Sequence, residues 1–432
     1  MSKVALYTLG CRVNQYETEA IIESFKKHGY EIVEFDEFAD IYIINTCTVT
    51  NASDKKSRQM IRKVKKVNPK AVVAAVGCYA QIAPEEVAQI EGVDVVLGTT
   101  DKGRIPEIIE RFLEDNKKII YAPNIMKLLQ FEELEIDEYK GKTRGFLKIQ
   151  DGCDRYCSYC IIPYARGPVR SRKPENIYSE ARKLGANGFK EIILSGIHVA
   201  SYGKDLGNVN LTDIIENINN INGIERIRIG SVEPTFFTKD TIERLSKVPK
   251  LCPHFHLSLQ SGCDETLRRM NRAYSTRQYE DTVNAIRTNF SDASITTDII
   301  VGFPGETEDE FFKSYAFVKN IKLSKTHIFK FSPRKGTKAS QFNNQISPEI
   351  KKKRSKLLSE LDVILEKEFI DNHIGRTMKV LFENREGIIN NGYTINYIKV
   401  ELNNDVALDL SGQILEVKLI ESRSGTAQGI LV

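Results

Sequence analysis

The stretch GCDRYCSYC, residues 152–160, holds three cysteines, Cys153, Cys157 and Cys160, in the spacing C-x3-C-x2-C. It directly follows a predicted strand at Phe146–Gln150. Three thiolates this close can surround one metal centre, and the fourth position stays open because no further cysteine or histidine lies nearby. The spacing favours an iron–sulfur cluster with one open iron. A zinc loop whose fourth ligand is distant in the chain is the alternative.

Strands and helices alternate from Gly145 onward, on the carboxyl side of a connector at 114–144. The predicted strands are Phe146–Gln150, Glu191–Leu194, Ile224–Ile229, His254–Leu259, Ser294–Ile300 and Thr326–Phe331. Six such units predict a partial (β/α)6 barrel. Active groups in barrels of this kind lie at the carboxyl ends of the strands, which is where the three cysteines begin.

Predicted strands and helices also alternate in the first 115 or so residues. Predicted strands are Val4–Leu9, Ile41–Thr46, Val72–Val76 and Val93–Leu97, with helices at Gln15–Lys27 and Ala52–Val67. Apolar runs such as Val72–Val76 are typical of strands buried on both faces, so we expect an open parallel sheet.

The C-terminal part changes character. A long helix is predicted to start at Ser347 and Pro348 and to end near Asn372, and short β-rich runs follow it. We therefore predict an α/β protein with an N-terminal sheet domain at 1–115, a central barrel at 139–371 and a small β-barrel at 372–432.

Three more cysteines, Cys11, Cys47 and Cys78, each follow a predicted strand of the N-terminal domain. They are separated by 36 and 31 residues, about one βα unit each. Ligands of open parallel sheets bind outside the carboxyl ends of the strands, so these thiols can converge on a second three-cysteine centre. Three unrelated buried cysteines are the alternative, and Cys252 and Cys263, which lack the pattern, are interpreted as core thiols.

Composition excludes some classes of protein. The 432 residues are 41% hydrophobic and 28% charged, with a net charge of +4, so wholesale disorder is excluded. No apolar run approaches the roughly 18 residues of a membrane helix, and the N-terminus does not have the pattern of a signal peptide. We expect a cytoplasmic protein without a membrane partner.

The cysteine loop resembles that of the radical S-adenosylmethionine (SAM) superfamily, whose open iron binds SAM. The stretch TTDIIVGFPGE, residues 296–306, is similar to the adenine-facing motif of that superfamily, with Asp298 in place of its first glycine. The resemblance implies SAM contacts at strand ends, and the candidate residues are Ser195, Gly196, Ser231, Glu233, Gly302, Pro304 and Gly305. An ordinary polar turn is the alternative at each of these places.

The wider sequence resembles the methylthiotransferases. The stretches that carry this resemblance are LGCRVNQYE (9–17), INTCTVTN (44–51) and GCYAQ (77–81), together with GCDRYCSYC. It implies a methylthiotransferase domain, a radical SAM core and a C-terminal TRAM barrel, with Cys153, Cys157 and Cys160 as ligands of one [4Fe-4S] cluster and Cys11, Cys47 and Cys78 as ligands of an auxiliary one.

The branch that this chain most resembles methylthiolates C2 of N6-threonylcarbamoyladenosine at position 37 of tRNA. Sister branches act on isopentenyladenosine in tRNA or on an aspartate of a ribosomal protein. The resemblance implies that one SAM methylates a sulfur held by the auxiliary cluster and that a second SAM supplies a radical. The implied partners are tRNA, a low-potential electron donor and a sulfur donor.

Charge is unevenly distributed. Residues 54–70 carry eight basic side chains and one acid, which suggests a helix face that contacts RNA phosphates, or else an ordinary solvated face. Further basic clusters follow the cysteine loop, at Arg166, Arg170, Arg172 and Lys173, and at Arg268, Arg269 and Arg272. The region 372–432 has six basic and seven acidic residues, and Tyr393 and Tyr397 are its candidates for stacking on RNA. A non-catalytic iron–sulfur RNA-binding protein is the non-enzymatic alternative.

Overall fold

The computed structural model describes residues 2–134, 136, 143–403 and 408–432. Its N-terminal part is a six-stranded parallel sheet in the order β2-β1-β3-β4-β5-β6. The strands are Lys3–Thr8 (β1), Glu31–Val33 (β2), Ile41–Thr46 (β3), Val72–Gly77 (β4), Val95–Leu97 (β5) and Ile119–Tyr121 (β6). The helices are Arg12–Lys27 (α1), Asn51–Val67 (α2), Cys78–Ile82 (α3), Pro84–Ala88 (α4) and Ile105–Asp115 (α5).

The predicted open parallel sheet is confirmed. Strands β3 and β4 are buried along their whole length, because apolar clusters cover both faces of the sheet. The sequence prediction missed the edge strands β2 and β6, which have three residues each and are too short to show a period. Strand β6 lies inside the stretch interpreted as a connector.

The central part contains six parallel strands in chain order. They form two three-stranded halves, β7-β10-β11 and β12-β13-β14, joined by the bridges Ile227–Leu251 and Val232–Leu257. The strands here are Arg144–Lys148 (β7), Gln150–Asp151 (β8), Arg170–Ser171 (β9), Glu191–Ser195 (β10), Arg226–Ile229 (β11), His254–His256 (β12), Ser294–Val301 (β13) and Lys325–Lys330 (β14). Short β8 and β9 pair with each other outside the barrel wall.

Helices alternate with these strands and cover the outside of the partial barrel. They are Ile162–Arg166 (α6), Pro174–Ala186 (α7), Leu211–Asn219 (α8), Lys239–Ser246 (α9), Asp264–Arg269 (α10), Thr276–Asn289 (α11), Glu308–Ile321 (α12) and Pro348–Asp371 (α13). The Ser347 side chain caps α13 and Pro348 is its first residue, as the sequence predicts. No helix among the described residues has both the length and the apolar character needed to cross a membrane.

The C-terminal part is a closed five-stranded barrel in the order β15-β16-β17-β19-β18. Its strands are Thr377–Glu386 (β15), Ile389–Thr394 (β16), Lys399–Asn403 (β17), Ile414–Arg423 (β18) and Thr426–Leu431 (β19). Val380, Phe382 and Leu419 are among its fully buried core residues. The predicted small β-barrel is therefore confirmed, whereas the exact bounds of the three domains stay a prediction.

One carboxylate, that of Glu17 on α1, joins the N-terminal sheet domain to the central barrel. It is fully buried, and its oxygens lie 3.2 Å from Lys102 Nζ and 2.8 Å from Lys148 Nζ. Arg166 Nη2 donates to the same carboxylate at 3.1 Å. Burial alone would raise the pKa of Glu17, but Arg166, Lys102 and Lys148 together hold it well below its usual range. Glu17 is therefore ionised and compensates three buried cations.

A second contact joins the same two parts. Arg334, which follows β14, donates to Thr48, Asn51 and Asp54, each at 2.5 Å. All three acceptors lie in or beside the segment that follows Cys47. The barrel thus fixes the chain around that cysteine.

Candidate active site

The N-terminal cysteines lie at the same edge of the sheet. Cys47 immediately follows β3, Cys78 immediately follows β4, and Cys11 comes three residues after β1. These are three adjacent strands of one parallel sheet. Gly10 has φ +101°, and a Cβ built on it would lie 2.9 Å from Cys47 Cβ and 3.0 Å from Cys47 Sγ. The loops that carry Cys11 and Cys47 therefore touch, and only glycine fits at that point.

A buried arginine lies against this cysteine set. Arg166 is fully buried, and its Nε donates to Cys78 Sγ at 3.3 Å. Burial raises the pKa of Cys78 to about 11; Arg166 opposes this rise, and the neighbouring Cys11 and Cys47 add to it. The guanidinium supplies positive charge where three thiolates would otherwise repel each other.

The second set, Cys153, Cys157 and Cys160, lies in the loop after β8. Gly152 at its start has φ +74°, and a Cβ there would lie 1.7 Å from the carbonyl oxygen of Pro168. The loop is therefore packed too tightly for any other residue at that position. Burial raises the pKa of Cys153 to about 11 and that of Cys160 to about 12. Here too an arginine is in place, since Arg272 Nη1 donates to Cys157 Sγ at 3.1 Å.

The spacing of these sulfurs differs from that of ligands to a single ion. Among the described residues, the one group of three metal-type ligand atoms that all lie within 4.8 Å of each other is His256, Asp298 and His327. Neither cysteine set meets that distance. Neither set is therefore arranged like the ligands of a single zinc ion, and the iron–sulfur assignment of both sets stays a prediction.

A cavity of about 630 Å³ connects the two domains. The N-terminal domain contributes Gly10, Cys11 and Arg12 to its lining, and the barrel contributes the ends of β10 and β11 with Ser195, Gly196 and Ser231. Further lining residues are His254, His256, Asp298 and His327 from the central barrel and Tyr397 from the C-terminal barrel. The cavity thus brings one auxiliary cysteine together with three of the predicted SAM-contacting residues.

The other predicted SAM-contacting residues lie apart from the lining of this cavity. Glu233 is buried and pairs with Arg155, Arg272 and His198 at 2.8, 3.1 and 3.4 Å. Burial would raise its pKa, but these partners lower the pKa of Glu233 to about 2. The residues Gly302, Pro304 and Gly305 form the turn after β13, where Gly302 N donates to Glu306 at 3.1 Å. Their contact with SAM stays a prediction.

Sequence reasoning missed Arg12 and assigned no chemistry to the histidines of the cavity. His256 Nε2 lies 3.2 Å from Asp298 Oδ2, and its other ring nitrogen lies 2.9 Å from Thr296 Oγ1. A cue for Arg12 was present, because it directly follows Cys11 in the chain. The histidines are separated by whole βα units, so no local pattern marks them.

An exposed row of cations lies on α2. Lys55, Lys56, Arg62 and Lys66 are exposed there and form no ion pair within the described part of the chain. The interpretation of the other two clusters as RNA-contacting is wrong in part. Arg166, Arg170 and Arg172 are buried and the Arg272 side chain is only 5% exposed, because internal carboxylates and cysteines bind their guanidinium groups.

Tyr393 and Tyr397 do not form an open platform for RNA bases. Their rings stack on each other with centroids 4.6 Å apart, and the Arg144 guanidinium lies 4.6 Å from the ring of Tyr393. The guanidinium of Arg228 lies 4.4 Å from the ring of Tyr397, and His254 also stacks on Tyr397. The two rings thus join the C-terminal barrel to the starts of the central strands, and the structure gives the RNA-stacking interpretation no support.

Family models match the N-terminal sheet domain and the central barrel. Residues 3–98 match the model described as "Uncharacterized protein family UPF0004", and residues 147–318 match that of the radical SAM superfamily. Among solved structures, the radical SAM methyltransferase TsrM from Kitasatospora setae is similar, with a TM-score of 0.59, 14% identity and coverage of 79% of this chain and 77% of that one. At that identity the likeness shows the fold alone.

Curated relatives match over nearly the whole length. Threonylcarbamoyladenosine tRNA methylthiotransferase MtaB of Bacillus subtilis is 41% identical over 428 residues, covering 98% of this chain and 94% of the relative. The protein of the same name from Aquifex aeolicus is 41% identical, covering 92% and 96%. The tRNA-2-methylthio-N6-dimethylallyladenosine synthase of Clostridium botulinum is 34% identical, covering 98% and 95%. The chain therefore belongs to the radical SAM methylthiotransferase family.

Proposed function

We propose that this protein methylthiolates C2 of N6-threonylcarbamoyladenosine at position 37 of tRNA, using SAM and two [4Fe-4S] clusters. The observation that carries the proposal is the single cavity that meets both Cys11 and the strand ends at Ser195, Gly196 and Ser231. A substrate bound there would lie beside Cys11 and beside three of the predicted SAM-contacting residues. The two relatives that are 41% identical have the corresponding name.

The residues present fit two clusters. In the proposal, Cys153, Cys157 and Cys160 hold the SAM-binding cluster, and Cys11, Cys47 and Cys78 hold the auxiliary one. As the described residues place them, the three sulfurs of each set do not all lie within 4.8 Å of one another, so neither set has the compact arrangement of a single-ion site. Each also has a buried arginine on one sulfur, Arg272 on Cys157 and Arg166 on Cys78. These cations offset part of the negative charge of the thiolates.

When bound, the clusters and SAM supply one-electron chemistry, sulfur and a methyl group, which no side chain of the protein can provide. The C2–H bond of adenine has no useful acidity, so a general base would not help. The protein's own residues have another task, which is to place the base between the two cysteine sets and to keep water out. The cavity between the two domains and the buried Gly152 at the start of the Cys153 loop serve that purpose.

Two other substrates are the alternatives. Isopentenyladenosine tRNA corresponds to relatives that are 34% identical, against 41% for the threonylcarbamoyladenosine relatives. A ribosomal protein aspartate would require the same chemistry on a protein. The row of unpaired cations on α2 favours a nucleic acid instead.

The proposal includes three partners and a location. They are tRNA, a low-potential electron donor and a sulfur donor. The two donors are required because the electrons and the sulfur used in each turnover must be supplied from outside the protein. We propose the cytoplasm as the location, because it keeps thiols reduced and the implied substrate is tRNA.

Nucleoside analysis tests the substrate directly. We expect tRNA from cells that carry this gene to contain the methylthio derivative of threonylcarbamoyladenosine, and tRNA from cells without the gene to lack it. The measurement is liquid chromatography with mass spectrometry of digested tRNA. Loss of the methylthio derivative of isopentenyladenosine instead would assign the sister substrate, and unchanged nucleosides would end the tRNA proposal.

Charge removal on α2 tests the RNA surface. The double variant Lys55→Gln, Arg62→Gln should bind tRNA more weakly, and its plot of log Kd against log salt should be flatter by roughly one unit for each phosphate that the helix no longer binds. The control is Lys239→Gln, Lys247→Gln, which removes two exposed cations from the outside of the barrel, one at the start of α9 and one immediately after its end. An equal change of slope in both variants would contradict the assignment of α2.

A further inference from the structure

Arg12 is a cation of the cavity without a partner. It is half-buried at the start of α1 and lines the cavity beside Cys11. No hydrogen bond or ion pair joins its guanidinium to any part of the chain that the structure describes. It approaches the Phe146 ring, whose centroid lies 6.0 Å from Cζ. A guanidinium placed in this way leaves its five donors for a ligand.

The other charged groups of the cavity are already paired. Lys325 binds Glu366, and Asp298 lies 3.2 Å from His256. The nearby Glu191 does not compensate Arg12, since it lies 2.9 Å from Arg228 and 3.3 Å from Arg144. Of the cations in the lining, Arg12 is therefore the one that an incoming anion can bind without breaking an ion pair of the described chain.

The wall beneath the cavity also carries an excess of positive charge. Arg144 and Arg228 share Glu191, and Glu383 is the second carboxylate there. Arg226 adds another buried cation, bound to backbone carbonyls of the C-terminal barrel at 2.8 and 3.0 Å. With Arg12, and with Asp298 of the cavity lining as a third carboxylate, this makes four guanidinium groups against three carboxylates. The potential of that region favours a ligand that carries a negative charge.

In the proposed substrate, the negative charge of the N6 group is expected to lie near Arg12. In adenine, C2 and the carbon that carries N6 are both bonded to the ring nitrogen N1. A group on N6 therefore lies close to whatever part of the site acts on C2. Arg12 is the next residue after Cys11, one of the proposed ligands of the auxiliary centre. A threonylcarbamoyl group ends in a carboxylate, whereas a dimethylallyl group is apolar.

We propose that the Arg12 guanidinium binds the carboxylate of the threonylcarbamoyl group and so selects this nucleoside over one with an apolar N6 group. The inference rests on the proposed function and deepens it. Arginine and carboxylate match in a two-point hydrogen-bonded geometry. An apolar N6 group in the same place would remove water from the guanidinium and leave it unpaired, which penalises the wrong substrate.

Binding measurements with three forms of one tRNA test the proposal. They differ only at position 37, which carries threonylcarbamoyladenosine, its neutral methyl ester or unmodified adenosine. We expect the wild-type holoenzyme to bind the free acid at least about tenfold more tightly than the ester, as for a hydrogen bond between charged groups. In Arg12→Gln this ratio should fall to within about threefold. Arg12→Lys keeps the charge but not the two parallel N–H donors of a guanidinium, so its ratio should lie between those of the wild type and Arg12→Gln.

Controls separate this role from a structural one and from the function itself. Arg62→Gln on α2 should weaken binding of all three tRNAs equally and keep the ratio. Iron content and the unfolding temperature of Arg12→Gln should match the wild type. A wild type without preference for the acid, or an Arg12→Gln variant that keeps it, would refute the role of Arg12. Failure of the wild type to methylthiolate threonylcarbamoyl tRNA would instead refute the proposed function, independently of the binding ratio.

Discussion

Replacing Cys157 by alanine is expected to abolish both SAM cleavage and methylthiolation, whereas replacing Cys47 by alanine abolishes methylthiolation alone. Each variant should lose about four of roughly eight iron atoms per chain, since each cysteine belongs to a different three-sulfur set. With two protein sulfurs left, neither centre should hold a full cluster. The structure supports the separation, because Cys157 lies in the loop after β8 and Cys47 at the edge of the N-terminal sheet.

Three measurements distinguish the two variants. They are iron and sulfide content, 5′-deoxyadenosine released under strong reductant, and methylthio-nucleoside formed on tRNA. Cys252→Ala is the matched control, since Cys252 is fully buried and lies outside both sets, so iron content and SAM cleavage should stay at the wild-type level. If Cys47→Ala retained all of its iron, the convergence of Cys11, Cys47 and Cys78 on one centre would be disproved.

Glu17→Gln is expected to destabilise the folded protein by about 3–5 kcal/mol, because it removes the shared carboxylate of three buried cations. Lys102, Lys148 and Arg166 are all excluded from water. The remaining buried carboxylate, Asp151, already binds Lys148 at 2.7 Å and lies 3.3 Å from Arg166. An amide of the same size cannot replace the missing charge, so uncompensated cations remain in the interior.

Denaturant unfolding of the wild type and the variant measures this cost. Glu31→Gln is the control, because Glu31 is exposed and its nitrogen partner on Lys3 is 3.9 Å away. A surface pair of that kind contributes at most about 1 kcal/mol. Equal unfolding midpoints for Glu17→Gln and Glu31→Gln would show that Glu17 does not compensate the buried charges.

The sequence was sufficient where chemistry and local spacing coincide. The C-x3-C-x2-C loop shows its cysteines within one short stretch. Cys11, Cys47 and Cys78 could be grouped because parallel strands all end at one edge of a sheet. A cysteine that follows each strand in a regular βα alternation is therefore expected at that edge. In the structure those strands are neighbours, in the order β1-β3-β4. The long helix α13 was visible from its Ser-Pro start.

Features that depend on contacts between distant segments were not visible. Arg166 and Arg172 look like RNA-binding residues in the sequence, but Glu17 and Glu180 bind them in the interior. A basic cluster on a surface and one inside a protein have the same composition, and only the position of the carboxylates distinguishes them. Arg12 was missed because its importance depends on the lack of a partner among the described residues, and a sequence does not show which side chains are left unpaired.

The Glu17 and Arg166 contacts also constrain how the polypeptide matures. The arginine that neutralises Cys78 belongs to the barrel, whereas the carboxylate that holds this arginine belongs to the sheet domain. Each half supplies a partner for some of its own charges, since Lys102 lies beside Glu17 in the sheet domain and Asp151 lies beside Lys148 and Arg166 in the barrel. The ion pair between Glu17 and Arg166, however, forms only on docking. We therefore expect docking to precede or accompany delivery of iron and sulfide to the N-terminal cysteines, and the sheet domain produced by itself to be a poor acceptor in reconstitution.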